Sequence, residues 1–246
     1  MSDNPYQASN YGAFTTADAV AADAVAADER AAFLQKTYLH LLGAILAFAA
    51  IDAFIITAFH DQLVQLVPKL TGGFTWLIVL GGFMVVSYFA DKWAHSGVSR
   101  QKQYAGLAVY IVAEALIFVP LLFIANEYFP GVIKSAGLVT AIVFGTLTIA
   151  CFLTRTDFSF LRWGLAVAGV VAIALIVGSI AFGFSLGVWF SVAMVALACG
   201  SILYNTSNVI HHYNTQQYVA ASLALFASVA LLLWYVIQIF MHMDSD

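Results

Sequence analysis

The sequence predicts an all-α membrane protein, a bundle of seven transmembrane helices, and three observations predict it. Seven apolar stretches, at 37–59, 73–90, 104–125, 135–154, 160–182, 186–210 and 217–241, fill the chain with only short polar connections between them. A hydrocarbon core about 30 Å thick needs roughly 20 helical residues, and a backbone in lipid must satisfy its own hydrogen bonds, so runs of this length imply helices. The composition, 63% hydrophobic and 9% charged, is the reverse of a soluble domain of this size. One bundle consumes nearly the whole chain and leaves no room for a second folded domain.

The chain divides into residues 1–36, a transmembrane domain at 37–241, and a short tail at 242–246. Residues 1–16 are rich in Asn, Tyr, Gln, Ser and Gly without apolar periodicity, and Ala-Val-Ala-Ala-Asp then occurs twice, at 19–23 and 24–28. A signal peptide needs a basic start and an apolar core, and this segment has neither. It reads as a flexible cytoplasmic tail that turns helical near Ala17 and runs into the first span.

Each span has its own character. The first carries Asp52, within Ala-Ala-Ile-Asp-Ala-Phe-Ile-Ile, and the third carries Glu114 near its middle. The second is the shortest. The turn between the fifth and sixth holds Gly183-Phe-Ser-Leu-Gly187, a match to the hydrolase nucleophile elbow. That motif has meaning only between a strand and a helix, so here glycine and serine read as turn residues. The sixth span carries Ser201, Asn205, Asn208 and His212 at i, i+4, i+7 and i+11, which is one helical face. Ser222 and Ser228 interrupt the seventh and could meet that stripe. His211 and His212 point about 100° apart on a helix and read as a solvated pair rather than a chelating one.

Orientation follows from the nine basic residues. Arg30, Lys36, Lys92, Arg100, Lys102, Arg155 and Arg162 fall on one side, against Lys69 and Lys134 on the other. The positive-inside rule then places the N-terminus in the cytoplasm and, after seven crossings, the C-terminus outside. The localisation expected is a bacterial-type inner membrane, with lipid as the surrounding solvent.

Several classes of function are argued against. A net charge of −4, small and scattered, provides no nucleic-acid footprint. Cys151 and Cys199 lie inside spans and read as small buried hydrophobes. No His-Glu-x-x-His zinc motif, Walker loop or dinucleotide fingerprint occurs, and no lysine follows Lys134 to carry a retinal Schiff base. The expectation is a protein that is not an enzyme, with no cofactor and no metal site.

Ionisable side chains at bilayer depth are costly and mark candidate functional sites. Glu114 and Asp52 are the two such groups, and no Lys or Arg sits at the centre of any span to neutralise them. Either carboxyl could serve proton sensing or ion passage, or could be protonated and hydrogen-bonded across a helix interface. The polar stripe has the same two readings: a permeation path, or interhelical hydrogen bonds worth about 0.6–2 kcal/mol each.

Five residue runs together resemble the Bax inhibitor-1 family. They are Lys36-Thr-Tyr, Thr140-Ala-Ile-Val-Phe-Gly-Thr-Leu-Thr, Thr154-Arg-Thr-Asp-Phe-Ser-Phe-Leu, Ile202-Leu-Tyr-Asn-Thr and Tyr218-Val-Ala-Ala-Ser-Leu-Ala-Leu-Phe. They stand in register from about residue 30 to 241, and the whole resembles a bacterial member. The resemblance implies a seven-helix bundle of Bax inhibitor-1 type, with the last span near its centre. It also implies one of two activities: a pH-sensitive calcium leak, or binding to membrane proteases or cell-death regulators. In leak-type members two aspartates form the gate, near an arginine of the second span. Here Asn205 and Ser228 occupy the aspartate positions, and the arginine is absent. Losing all three charges together is coherent, because a buried aspartate without its partner is stranded and costly.

Two functional readings follow. The first is passage of calcium ions or protons, ungated or differently gated, with Glu114 and Asp52 titrating and with Ser201, Asn205, Asn208 and Ser228 along the path. The second is a non-conducting regulator that binds a membrane protease or another membrane protein.

Overall fold

The computed structural model describes residues 16–96 and 99–245. The polar start of the chain, residues 1–15, lies outside the described residues. Among the described residues there are eight helices and no strand: α1 (Thr16–Ala58), α2 (His60–Leu70), α3 (Gly73–Ala94), α4 (Arg100–Tyr128), α5 (Val132–Thr154), α6 (Leu161–Phe182), α7 (Gly187–His211) and α8 (Tyr218–Ser245). Seven of them are long and apolar enough to cross a membrane, and they coincide with the seven expected spans. The basic residues Arg30, Lys36, Lys92, Arg100, Lys102, Arg155 and Arg162 gather at one end of the bundle, here called the basic end. Lys69 and Lys134 lie toward the opposite end.

Two helices form the centre. In α4 and α8 more than half of the apolar stretch is buried, 61% and 56%, against 22% or less in each of the others. The expectation that the last span is central therefore holds for α8, and α4 joins it there. Around this pair, α1 packs on both, α3 lies along α4, α7 lies along α8, and α5 contacts α7 and α8. α6 sits outermost against α7, with nearly all its side chains at least partly exposed, as suits a helix facing lipid. Aromatic rings seal the middle. Phe48 of α1, Phe118 of α4 and Phe226 of α8 meet edge to face, and Trp234 of α8 packs on Phe118 at 4.9 Å.

The α3–α4 contact depends on one glycine. A Cβ on Gly106 would stand 2.5 Å from the Ala90 carbonyl and 2.7 Å from the Ala94 nitrogen, so only a hydrogen fits there. Ala90 and Ala94 are themselves buried and small. Without a hydrophobic drive between helices in lipid, such small-residue approaches supply the van der Waals contact that holds them together.

Three features depart from the sequence reading. α2 is an additional helix, eleven residues long and amphipathic, in what the apolar runs leave as a loop. Its Leu63 and Val67 are buried against Val119 and Phe123 of α4. α1 begins at Thr16 and runs into the first span as read from the sequence, but Arg30 and Phe33, before residue 36, already belong to the bundle. Arg30 donates to the carbonyl oxygens of Val209, Ile210 (2.6 Å) and Tyr213 (2.7 Å), closing the C-terminus of α7, while its guanidinium lies 4.7 Å over the Phe33 ring. A cation there satisfies carbonyls that have no helical partner and complements the negative end of the helix. Finally, α8 continues through Ser245, so residues 242–245 extend the last helix rather than forming a separate tail.

A substitution at Gly106 tests the close approach. Gly106→Ala is expected to destabilise the protein by about 1–3 kcal/mol through forced separation of α3 and α4. Gly137→Ala, where a Cβ meets nothing within 4 Å, serves as the control. Thermal unfolding in detergent or nanodiscs checks both.

Candidate functional site

Glu114 stands in the middle of α4 because the whole surrounding run is apolar and helical, and α4 is the central helix. Its side chain is 6% exposed, and Oε2 has no hydrogen-bond partner. Tyr110, one turn earlier on the same face, interacts with the carboxyl. Glu114 also borders a cavity of about 800 Å³ between α3, α4, α6, α7 and α8. This cavity reaches toward the end of the bundle opposite the basic end, where Thr71, Ser185 and His242 form its rim.

A second cavity of about 360 Å³ approaches from the basic end. Ser87 and Asp91 of α3, Ser201 and Asn205 of α7 and Ser228 of α8 supply its polar lining. Tyr110, Ala227 and Leu231 line both cavities. The two spaces therefore come together at these three residues.

Asn205 and Ser228, whose adjacency the sequence leaves open, meet in the structure. Asn205 Nδ2 donates to Ser228 Oγ at 2.8 Å and lies 3.3 Å from the Ala224 carbonyl, while Ser228 Oγ donates to that same carbonyl at 3.0 Å. The arrangement is a neutral clasp between α7 and α8. It joins helices where two like charges would repel, and it needs no nearby cation.

The remaining expected residues are divided. Asp52 is 3% exposed in α1, and neither of its oxygens has a partner. It lines neither cavity. The polar stripe of α7 divides between two spaces. Ser201 and Asn205 line the 360 Å³ cavity, whereas Asn208 and His212 border a separate recess of about 470 Å³ with His95, Arg162, Tyr204 and Tyr213. Ser222 is fully buried and donates to the Val219 carbonyl within its own helix (2.8 Å), away from the stripe. Gly183 and Gly187 adopt φ of 72° and 65°, so the glycines of the elbow-like motif serve the turn between α6 and α7.

Three contributors escape a sequence reading. Asp91 lies one residue past the expected end of the second span, and Tyr110 is one aromatic among many. The third is a network at the basic end that holds the α5–α6 turn against α7. His212 Nε2 is 3.1 Å from Asp157 Oδ2, Ser207 Oγ donates to Asp157 Oδ1 (3.4 Å), and the Phe158 N–H donates to Ser207 Oγ (2.9 Å). His212 is therefore engaged rather than simply solvated. The Ser159 N–H, donating at 2.8 Å, together with the Ser159 and His212 side chains, holds the Asp157 carboxyl below its ordinary range. The turn opens with Arg155 at φ 51°, a left-handed conformation usually left to glycine, whose N–H caps α5 by donating to the Cys151 carbonyl.

His95, which borders the recess, has Nδ1 3.2 Å from Oδ1 of Asp91, which lines the 360 Å³ cavity. Its pKa is raised above 6.5, first by the hydrogen bond to the Asp91 side chain. Among the described residues no group of three or more His, Cys, Asp and Glu side chains converges to hold a metal ion.

With this geometry in view, the likenesses to known proteins are informative. The family described as "Inhibitor of apoptosis-promoting Bax1" matches residues 30–245. The "Modulator of FtsH protease YccA" of Escherichia coli K12 is 31% identical over 205 residues, covering 80% of this chain and 83% of that protein. The same figures hold for the "Inner membrane protein YccA" of Escherichia coli O6:H1.

The His95–Asp91 pair makes a signed pH prediction. A histidine with a raised folded-state pKa contributes stability that is fully present below its unfolded value of 6.5 and is lost as pH rises through the raised value. The thermal midpoint in nanodiscs is therefore expected to fall between pH 6 and 8, and His95→Gln is expected to reduce that dependence. A second prediction concerns the clasp: Ser228→Ala should cost about 1 kcal/mol through loss of the interhelical hydrogen bond. Unfolding of Ser228→Ala beside the parent protein measures it.

Proposed function

Because this chain belongs to the Bax inhibitor-1 family and is a multi-pass inner-membrane protein, we propose that it acts as a modulator of an FtsH-type membrane protease. The observation that carries this reading is the likeness to YccA, which spans 80% of this chain and includes the bundle rather than one motif. That likeness moves the regulator ahead of the ion leak.

Two structural features support it. The gate positions hold the neutral Asn205–Ser228 clasp, which needs neither charge nor counter-charge. In addition, α1 is far longer than a crossing requires. Its 43 residues span about 65 Å, against a hydrocarbon core of about 30 Å. The excess lies at the basic end, which the positive-inside rule assigns to the cytoplasm. Asp18, Asp23, Asp28 and Glu29 make it acidic. Anchored to α7 through Arg30, this arm is a stiff projection suited to meeting a second membrane protein.

The test is reconstitution with Escherichia coli FtsH in liposomes, reading the degradation rate of a membrane-protein substrate. The full chain is expected to change that rate, and deletion of residues 1–28 to abolish the change while the thermal midpoint is kept. A rate indifferent to the full chain overturns the proposal.

A second reading, passage of protons or calcium ions, is favoured by one observation: two cavities approach Tyr110 from opposite ends, one bordered by Glu114 and the other by Asp91. Flux in proteoliposomes between pH 6 and 8 tests it. Glu114→Gln abolishes the flux or its pH dependence if the path is real, and a well-folded protein with no flux above empty liposomes removes this reading.

A further inference from the structure

The 800 Å³ cavity has the size and lining of a small-molecule site rather than of a packing defect. Ligand sites are typically concave, mostly apolar and of about 300–1,000 Å³, with a few convergent polar groups. Here Trp76 of α3 and Trp234 of α8 stack with centroids 5.9 Å apart, and Phe83, Phe118 and Phe190 continue the aromatic wall. Ser191 and Gln238 are already engaged with one another at 3.0 Å. Glu114 is different: it is buried, borders the space, and keeps one oxygen without a partner. No Lys or Arg lines the cavity, so the protein itself supplies no counter-charge to that carboxyl.

We propose that this cavity binds a lipophilic organic cation, with the positive charge at Glu114 and the apolar body against the Trp76–Trp234 wall. The charge type follows from the lining. A buried carboxylate is stabilised by an opposite charge at close range, and aromatic faces attract cations by their quadrupole. An anion would meet the carboxylate with nothing to offset it. A neutral apolar molecule, such as a lipid chain, would leave Glu114 as costly as before. The site rests on neither functional reading above, because it requires neither a protease nor a continuous path past Tyr110.

Two probes of one shape and opposite charge separate the possibilities. The full chain in nanodiscs is titrated with radiolabelled tetraphenylphosphonium and, separately, with tetraphenylborate, with empty nanodiscs subtracted. Saturable binding of the cation and none of the anion is expected. Glu114→Gln should weaken cation binding by about 30-fold, the effect of removing one partner of a buried charge pair. Trp234→Leu should weaken it by about fivefold through the lost ring face. Asp61→Asn, which alters a fully exposed carboxyl on α2 outside the lining, should leave it within about twofold, because water screens a charge at the surface. Equal binding of both ions, as an apolar slot for lipid would give, overturns the proposal. So does a Glu114→Gln protein that folds with parental stability and binds the cation unchanged, or a parent protein that shows no saturable binding.

Discussion

Lipid tails are as apolar as leucine, so no solvent pressure drives these helices together, and contact must come from shape and from hydrogen bonds. That constraint explains why the bundle is organised around α4 and α8. α4 presents Gly106 to the backbone of α3, the closest approach that the glycines allow. α8 presents Ser228 to Asn205 of α7, a polar join in an apolar setting. The outer helices can then be apolar nearly all round, as α6 is, because the central pair carries the specificity.

The same constraint makes the two buried carboxyls conspicuous. Among the described residues, Asp52 and Glu114 are the buried carboxyls whose oxygens lack a partner, both of them in Asp52 and one in Glu114. Several buried hydroxyls, among them Thr37, Thr140 and Thr206, also go without a partner, but a hydroxyl carries no charge. The clasp at Asn205 and Ser228 shows how this chain handles a polar position it can satisfy: neutral groups, short distances and no dependence on pH. The contrast between the clasp and Glu114 is chemical. It separates a joint from a group left available to something that enters the cavity.

What the sequence made legible follows the strength of each physical signal. A run of twenty apolar residues has few alternative explanations, so all seven crossing helices were readable. α2 was not, because eleven mixed residues carry no membrane-length signal and its helix depends on Leu63 and Val67 packing against α4. The boundary at residue 36 marked where apolarity begins, whereas the helix is set by an alanine-rich stretch with high helical propensity and by the long-range bonds of Arg30. Glu114 and Asp52 were readable because a charge in a span is rare. The family resemblance singled out Asn205 and Ser228, but their adjacency was not legible, since neither residue is unusual alone. Asp91, Tyr110 and the Asp157 network became visible only once helices distant in sequence were brought together.

Arg30 carries a consequence for biosynthesis. Its acceptors lie roughly 180 positions further along the chain, so when α1 enters the membrane the guanidinium has nothing to bind. It must remain hydrated at the surface until α7 has been made and its final carbonyls are in place. The amino-terminal end of α1 is thus fastened only after α7 has been made. A ribosome paused before the end of α7 would leave the amino-terminal segment unmoored, a timing that a completed protein no longer reveals.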